Sequence, residues 1–199
     1  MQKKRKSDVR LITVTAMLVA ISVIIGIFCK NFLNFGAGPF AGLFRVTFEN
    51  LPIILAGILY GPVIGGAVGL ATDLISYLLS NQTYPPNLIV TLGAISVGVI
   101  AGLVAKYLVK KRGSGQVIIA GALAHIVGSM IIKPIGLYQF YGALVLLRVP
   151  MYLLIAPLEI FILCMLLKRK AFCKAIGYTV EEKNKDKKIY VRKKKDELR

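Results

Sequence analysis

Between Leu11 and Leu167 the sequence consists almost entirely of long apolar runs separated by short polar or glycine-rich segments. A helix needs about 20 apolar residues to cross a hydrocarbon core about 30 Å thick. This stretch therefore has room for six crossings, and a mean hydropathy of +0.71 agrees with that interpretation. We predict an all-α membrane protein with six transmembrane helices over residues 11–167 and no separate soluble domain.

Loop signals divide the stretch into six runs, at about residues 11–35, 51–60, 63–79, 88–109, 116–132 and 149–167. The second run is too short to cross a bilayer alone unless it begins near Arg45, and short or interrupted helices mark binding sites in transporters. Gly61-Pro62 ends this run, because proline lacks the N–H that continues a helix. Pro150 and Pro157 predict a kink in the last run.

The net charge of +17 would suggest a nucleic-acid partner in a soluble protein. Here the basic residues flank apolar runs, which is the positive-inside pattern of membrane proteins. We predict that both termini are cytoplasmic, with a basic segment at 1–10, a charged tail at 168–199 and no nucleic-acid partner. The exceptions among the 26 Lys and Arg residues lie on or near the outer side: Lys30, Arg45, Lys133 and Arg148.

Small residues recur every four positions in three of the predicted helices. This spacing places them on one helix face, where a second backbone can approach closely. We interpret the glycine-containing series as packing surfaces, whereas Ala16 and Ala20 in the first helix gain meaning only with a family assignment. The two glycine-containing series are Gly61, Gly65 and Gly69, and Ala94, Gly98 and Gly102.

Three ionisable residues, Asp73, His125 and Glu159, fall inside apolar runs. Ionisable groups at that depth are costly and usually face the bundle interior or a watery cavity. We interpret His125 as a hydrogen-bonded structural residue. For Asp73 and Glu159, pairing with Arg or Lys and contact with a ligand remain equal alternatives.

No catalytic or metal-binding motif occurs in the sequence. It has one histidine, no Ser/His/Asp arrangement, no HExxH and no Gly-Lys-Ser/Thr loop for ATP phosphates. The three cysteines form no CxxC or Cys/His cluster and are interpreted as packing residues. We expect a protein without enzymatic activity, metal or cofactor.

Residues 45–73 read RVTFENLPIILAGILYGPVIGGAVGLATD, and this run resembles the substrate-binding S components of energy-coupling-factor (ECF) transporters, specifically the folate family. The resemblance covers about residues 13–167 and is supported by Ala-Met-Leu-Val-Ala at 16–20. It implies a six-helix, vitamin-binding protein of the bacterial plasma membrane. Its partners would be a transmembrane coupling subunit and two ATPases, which accounts for the missing ATP motif.

The resemblance also implies functional residues. Ala16 and Ala20 would form the small-residue face that meets the coupling subunit. The ligand pocket would open outward, with arginines for the carboxylates of a folate and tyrosines for its ring. The expected ligand-binding residues are Arg45, Asp73, Tyr84, Lys133, Tyr138, Gln139 and Arg148.

Two departures from the family pattern lie in the expected pocket loops. Glu49-Asn50 stands where a small residue is expected after Phe48, and Tyr84-Pro85-Pro86-Asn87 replaces an aromatic Phe-Pro-Gly-Phe pattern. The identity of the vitamin therefore remains open between folate and another vitamin such as pantothenate or thiamine. A membrane enzyme or scaffold, supported by Asp73 and Glu159, is the alternative from a different class.

Overall fold

The computed structural model describes residues 2–33, 46–79 and 87–176, and all regular elements within these ranges are helical. Two π-helical stretches, Val104–Leu108 and His125–Ile132, continue α4 and α5, and a 3₁₀ stretch, Gly142–Leu147, precedes α7. The helices are α1 Gln2–Phe32, α2 Asn50–Tyr60, α3 Pro62–Leu79, α4 Leu88–Leu103, α5 Ser114–Ala124, α6 Lys133–Tyr141, α7 Arg148–Lys168 and α8 Lys170–Ile176.

Within the described ranges, four helical segments are long and apolar enough to cross a membrane: Val9–Phe32, Pro62–Leu79, Leu88–Leu108 and Ser114–Lys168. The last has 55 residues and would measure about 80 Å as a straight helix. Instead the chain turns at Gly142, whose φ is 55°, and α7 packs back on α5. The all-helical membrane fold is confirmed, whereas the count of six crossings and the cytoplasmic termini stay predictions.

The α2 helix is short and central. Its 11 residues span about 16 Å, and it packs against α1, α3, α4, α5 and α7. Residues 52–58 are all buried, so the helix has no membrane-facing side along that length. At its end Gly61 adopts a φ of 92° and Pro62 begins α3, as the Gly-Pro break predicted.

Glycines hold α3 and α4 at backbone contact. A Cβ atom at Gly65 would collide with the carbonyl of Gly98, and one at Gly98 would collide with the carbonyl of Gly65. Gly69 meets Ala94 in the same way. This pair of helices has the most extensive contact in the bundle, and the prediction that the glycine-containing series are packing surfaces is confirmed.

The end predicted for the fifth apolar run, near Ile132, is wrong. The helix continues through the π-helical stretch directly into α6, so residues 114–141 form one continuous rod. Pro134 lies at this junction, and a proline ring clashes with the preceding turn of a regular α-helix. The wider π-helical turn, in which Lys133 N–H bonds to the carbonyl of Gly128, accommodates it.

The chain after α7 folds back on the bundle. Cys173 of α8 is buried, with its Sγ 3.0 Å from the carbonyl of Leu167, and Tyr60 Oη donates to the carbonyl of Ile176 at 3.5 Å. The short helix therefore covers the end of the bundle at which Gly61 lies. The rest of the predicted tail, 177–199, lies outside the described residues.

Replacing Gly98 by alanine is expected to lower the free energy of unfolding by about 1–3 kcal/mol, because the new methyl group must push α3 away from α4. Gly113→Ala is the matched control, since a Cβ there meets no atom within 4 Å. Denaturant titration in mixed micelles measures both variants. Equal stability of the two would contradict backbone contact between α3 and α4.

Candidate functional site

A buried lysine lies at one end of the bundle, here called the Lys133 end. Lys133 stands where the π-helical stretch passes into α6, and only 4% of it is exposed. Its Nζ donates to Asn50 Oδ1 at 3.1 Å and lies 3.6 Å from Glu49 Oε1. A buried ammonium group needs such partners, because its desolvation is otherwise uncompensated. The contacts tie the start of α2 to the α5–α6 rod.

Glu49 itself is fixed by α1. Ser22 Oγ donates to the backbone carbonyl of Glu49 at 2.5 Å. The carboxylate lies directly against Gly26, where a Cβ atom would come within 2.9 Å of Glu49 Oε2. The absence of a side chain at Gly26 therefore leaves the space that the Glu49 carboxylate fills.

A second cation, Arg148, begins α7 at the same end and is 5% exposed. Its guanidinium carbon lies 5.8 Å from the centre of the Tyr152 ring, one turn along the helix. The Tyr152 hydroxyl is 3.3 Å from Thr47 Oγ1, just before α2. Arg148 and Lys133 lie within electrostatic range of each other and of Tyr152, so two cations and a phenol face one region.

Asp73 completes the cluster from α3. Thr91 Oγ1 of α4 donates to Asp73 Oδ2 at 2.7 Å, and the carboxylate is within electrostatic range of Lys133 and Glu49. Asn87 anchors the start of α4, since its Nδ2 donates to the carbonyl of Gly136 at 2.6 Å. Side chains from the α2, α3, α4, α6 and α7 regions thus meet at the Lys133 end.

Deeper in the bundle, His125 of the π-helical stretch that follows α5 faces Glu159 of α7. His125 Nε2 lies 2.7 Å from Glu159 Oε2, and both side chains are fully buried. His125 opens the π-helical stretch, and Pro157 lies within α7 just before Glu159. The interpretation of His125 as a hydrogen-bonded structural residue stays a prediction, which this contact supports. Glu159 faces a histidine, whereas one of its two predicted alternatives was pairing with Arg or Lys.

The structure brings together three of the predicted ligand residues, Asp73, Lys133 and Arg148. Tyr138 and Gln139 lie beyond them on α6 with exposed side chains. Arg45 and Tyr84 lie outside the described residues. The roles of all seven in binding stay predictions.

Sequence reasoning missed four members of the cluster: Thr47, Glu49, Asn50 and Tyr152. The signal for two of them was present, because Glu49-Asn50 replaces the small residue expected after Phe48. Tyr152 gave no separate signal, since a tyrosine in an apolar run reads as a packing residue.

The small-residue face of α1 points away from the bundle. Ala16 and Ala20 are exposed, and so are the neighbouring Ile12, Met17 and Ile24. Leu18, Ser22 and Val23 are the buried side of the same helix. The alanine pair is therefore not used for packing within the described bundle.

Removing one member of the His125–Glu159 pair is expected to lower the free energy of unfolding by about 3–5 kcal/mol, because the other is left buried and uncompensated. The single variants are His125→Leu and Glu159→Leu, and the double variant removes both polar groups. Denaturant titration should show that the double variant is more stable than either single one. Additive losses would mean that the two side chains do not interact.

Comparison with known proteins places the chain in a family. The family model described as "ECF transporter, substrate-specific component" matches residues 10–179. One curated relative, an uncharacterised protein of Mycoplasma pneumoniae described as an MG098 homolog, is 32% identical over 101 residues, 49% of this chain and 21% of that protein. The chain thus spans about a fifth of the length of that relative.

Three solved structures share the fold. FolT bound with folic acid is 21% identical to this chain, and the match covers 86% of this chain and 95% of the FolT chain with a TM-score of 0.58. The S component of a bacterial ECF transporter is 23% identical, with coverages of 83% and 96% and a TM-score of 0.56. The S component for biotin is 20% identical, with coverages of 82% and 94% and a TM-score of 0.58.

The family match covers most of the chain, and the shared fold extends over nearly the whole of each compared structure. Both are those of substrate-binding transporter components and not of enzymes. The chain belongs to the family of substrate-specific components of ECF transporters.

Proposed function

We propose that this chain binds folate with high affinity at the Lys133 end and delivers it to an ECF module. The observation that carries the proposal is the pair of buried cations, Lys133 and Arg148, in one polar cluster. Buried cations are costly in a membrane protein and mark substrate sites there. An anionic ligand would interact favourably with both cations.

The two cations suit the glutamate end of a folate, which carries two carboxylates. Arginine can donate two parallel hydrogen bonds to one carboxylate, and Lys133 supplies a second point charge. A hydrogen bond to a charged group contributes about 1.5–3 kcal/mol.

Glu49 refines the choice of ligand. The pterin ring of a folate presents an amino group and a ring N–H side by side, and a carboxylate accepts both in parallel. Glu49 and Asp73 are carboxylates of this cluster, so it also offers acceptors for such a pair of donors. Thiamine, a fixed cation, would meet Lys133 and Arg148 unfavourably, and pantothenate has one carboxylate and no aromatic ring.

We further propose the orientation and partners that the family suggests. The Lys133 end faces outward, residues 11–167 form the six-helix domain in the bacterial plasma membrane, and segments 1–10 and 168–199 are cytoplasmic. The exposed face of Ala16 and Ala20 meets the transmembrane coupling subunit, which carries two ATPases. The positive-inside distribution of charge supports the orientation, and the exposure of these alanines on the surface of the bundle supports the contact with a partner.

The Arg148→Ala variant is expected to bind folate at least tenfold more weakly, equivalent to about 1.4 kcal/mol. Arg148→Lys should recover part of the loss, because it keeps the charge without the planar fork. Lys111→Ala removes an exposed cation from the opposite end and serves as control. Fluorescence titration of purified proteins measures each affinity.

For the lysine, the variant is Lys133→Met combined with Glu49→Gln, which removes both members of the buried pair and avoids an isolated carboxylate. We expect this variant to bind folate about tenfold more weakly than the parent and to keep a melting temperature near that of the parent. If both this protein and Arg148→Ala bind folate as tightly as the parent, the cluster is structural and the proposed site is wrong.

Tryptophan at Ala16 and Ala20 is expected to abolish folate uptake by cells while leaving folate binding by the purified protein within twofold of the parent. The bulky side chains would hold the coupling subunit away from α1. Leu154→Trp, at a residue of α7 that is 78% exposed, is the control and should retain uptake. Loss of binding together with uptake would place the alanines inside the fold.

A further inference from the structure

A polar cavity lies at the end of the bundle opposite Lys133, here called the Gly61 end. It has a volume of about 560 Å³. Its wall is formed by the α2–α3 turn at residues 57–64, by the end of α4 and by the loop that leads to α5. It is remote in the fold from Lys133 and has no part in the proposed folate site.

Three cations converge on this cavity: Lys106, Lys110 and Arg112. Among the described residues, no acidic side chain lines it. The positive-inside rule explains why basic residues lie on this side of the membrane, but it does not require them to line one cavity. All three side chains are exposed, and so is Lys111, which lies between two of them in the chain but does not line the cavity.

The start of α3 adds backbone donors to the same wall. Gly65 N–H makes the first hydrogen bond of this helix, to the carbonyl of Gly61. The N–H groups of Val63 and Ile64 precede it, and such first-turn donors have no partner within the helix. Both residues line the cavity, so the positive end of the α3 dipole faces the region where the cations lie.

Gln116 holds the basic loop in place. Its Nε2 donates to the carbonyl of Ala105 at 2.9 Å and to that of Val109 at 2.7 Å, and the residue is 3% exposed. These bonds fix the chain on both sides of Lys106. Lys106 therefore lies on a backbone segment that buried Gln116 holds in place, and Lys110 directly follows that segment.

Apolar residues distinguish this site from a site for a soluble anion. Ile58, Leu59 and Ile64 form part of the wall, and Val63 is 82% exposed on the surface of α3. A ligand of this cavity therefore meets cations and apolar side chains together. Basic pockets between transmembrane helices at the cytoplasmic side recognise the headgroups of anionic lipids through this combination.

We propose that the cavity binds the phosphate headgroup of an anionic phospholipid from the leaflet at the Gly61 end. Lys106, Lys110 and Arg112 contact the phosphate, the first turn of α3 donates to it, and the acyl chains lie along the apolar wall beside Val63. The bound lipid bridges α3, α4 and the loop before α5.

Native mass spectrometry of the full chain tests the proposal, with phosphatidylglycerol and phosphatidylcholine offered in equal amounts in detergent. The parent should retain phosphatidylglycerol at least tenfold more than phosphatidylcholine. The double variant Lys106→Gln/Lys110→Gln should retain about tenfold less phosphatidylglycerol than the parent. The matched control is Lys111→Gln/Arg169→Gln, which removes two exposed cations that do not line the cavity and should behave as the parent does.

Three results would overturn the proposal. The first is equal retention of the two lipids by the parent, a comparison that does not depend on any variant. The second is an equal loss of phosphatidylglycerol retention in the control and test variants, which would show that the lipid is attracted by the overall positive charge of the protein and not by the cavity. The third is displacement of the lipid by inorganic phosphate at millimolar concentration, which would make the cavity a site for a soluble phosphate.

Discussion

The rest of the site depends on the contacts that the ammonium group of Lys133 makes inside the protein. This group is buried, so the fold must supply acceptors, and it does so through Asn50 and Glu49 at the start of α2. That requirement holds the short central helix against the α5–α6 rod. The same polar groups are the ones that a charged, hydrogen-bonding ligand can engage.

Much of the helical framework could be predicted from the sequence. The Gly61-Pro62 break follows from local chemistry, because proline lacks the backbone N–H that a continuing helix needs. The packing of Gly65 against Gly98 follows in the same way, because glycine has no side chain to keep two helix backbones apart. The continuation of α5 through Pro134 could not be predicted in this way. It depends on a π-helical stretch that is stabilised by tertiary packing and leaves no periodic signature in an apolar run.

The composition of the site was only partly accessible. Lys133 and Arg148 stood out because a basic residue on the predicted outer side of a positive-inside protein needs a reason. The partners of the polar side chains could not be predicted, because Asn50 and Lys133 are 83 positions apart in the sequence and Thr47 and Tyr152 are 105 positions apart. Glu49 was visible as a departure from a family pattern, but its position against Gly26 required the fold.

The most direct test of the account is to identify what the protein carries when it is purified. The chain is produced in its cell membrane, extracted in mild detergent, and its bound small molecules are released and identified by mass spectrometry with near-ultraviolet absorbance. If the chain binds folate at the Lys133 end, a folate will be present at close to one molecule per chain, with much less in the Arg148→Ala protein. A different vitamin at that ratio, or a folate equally abundant in both proteins, would contradict it.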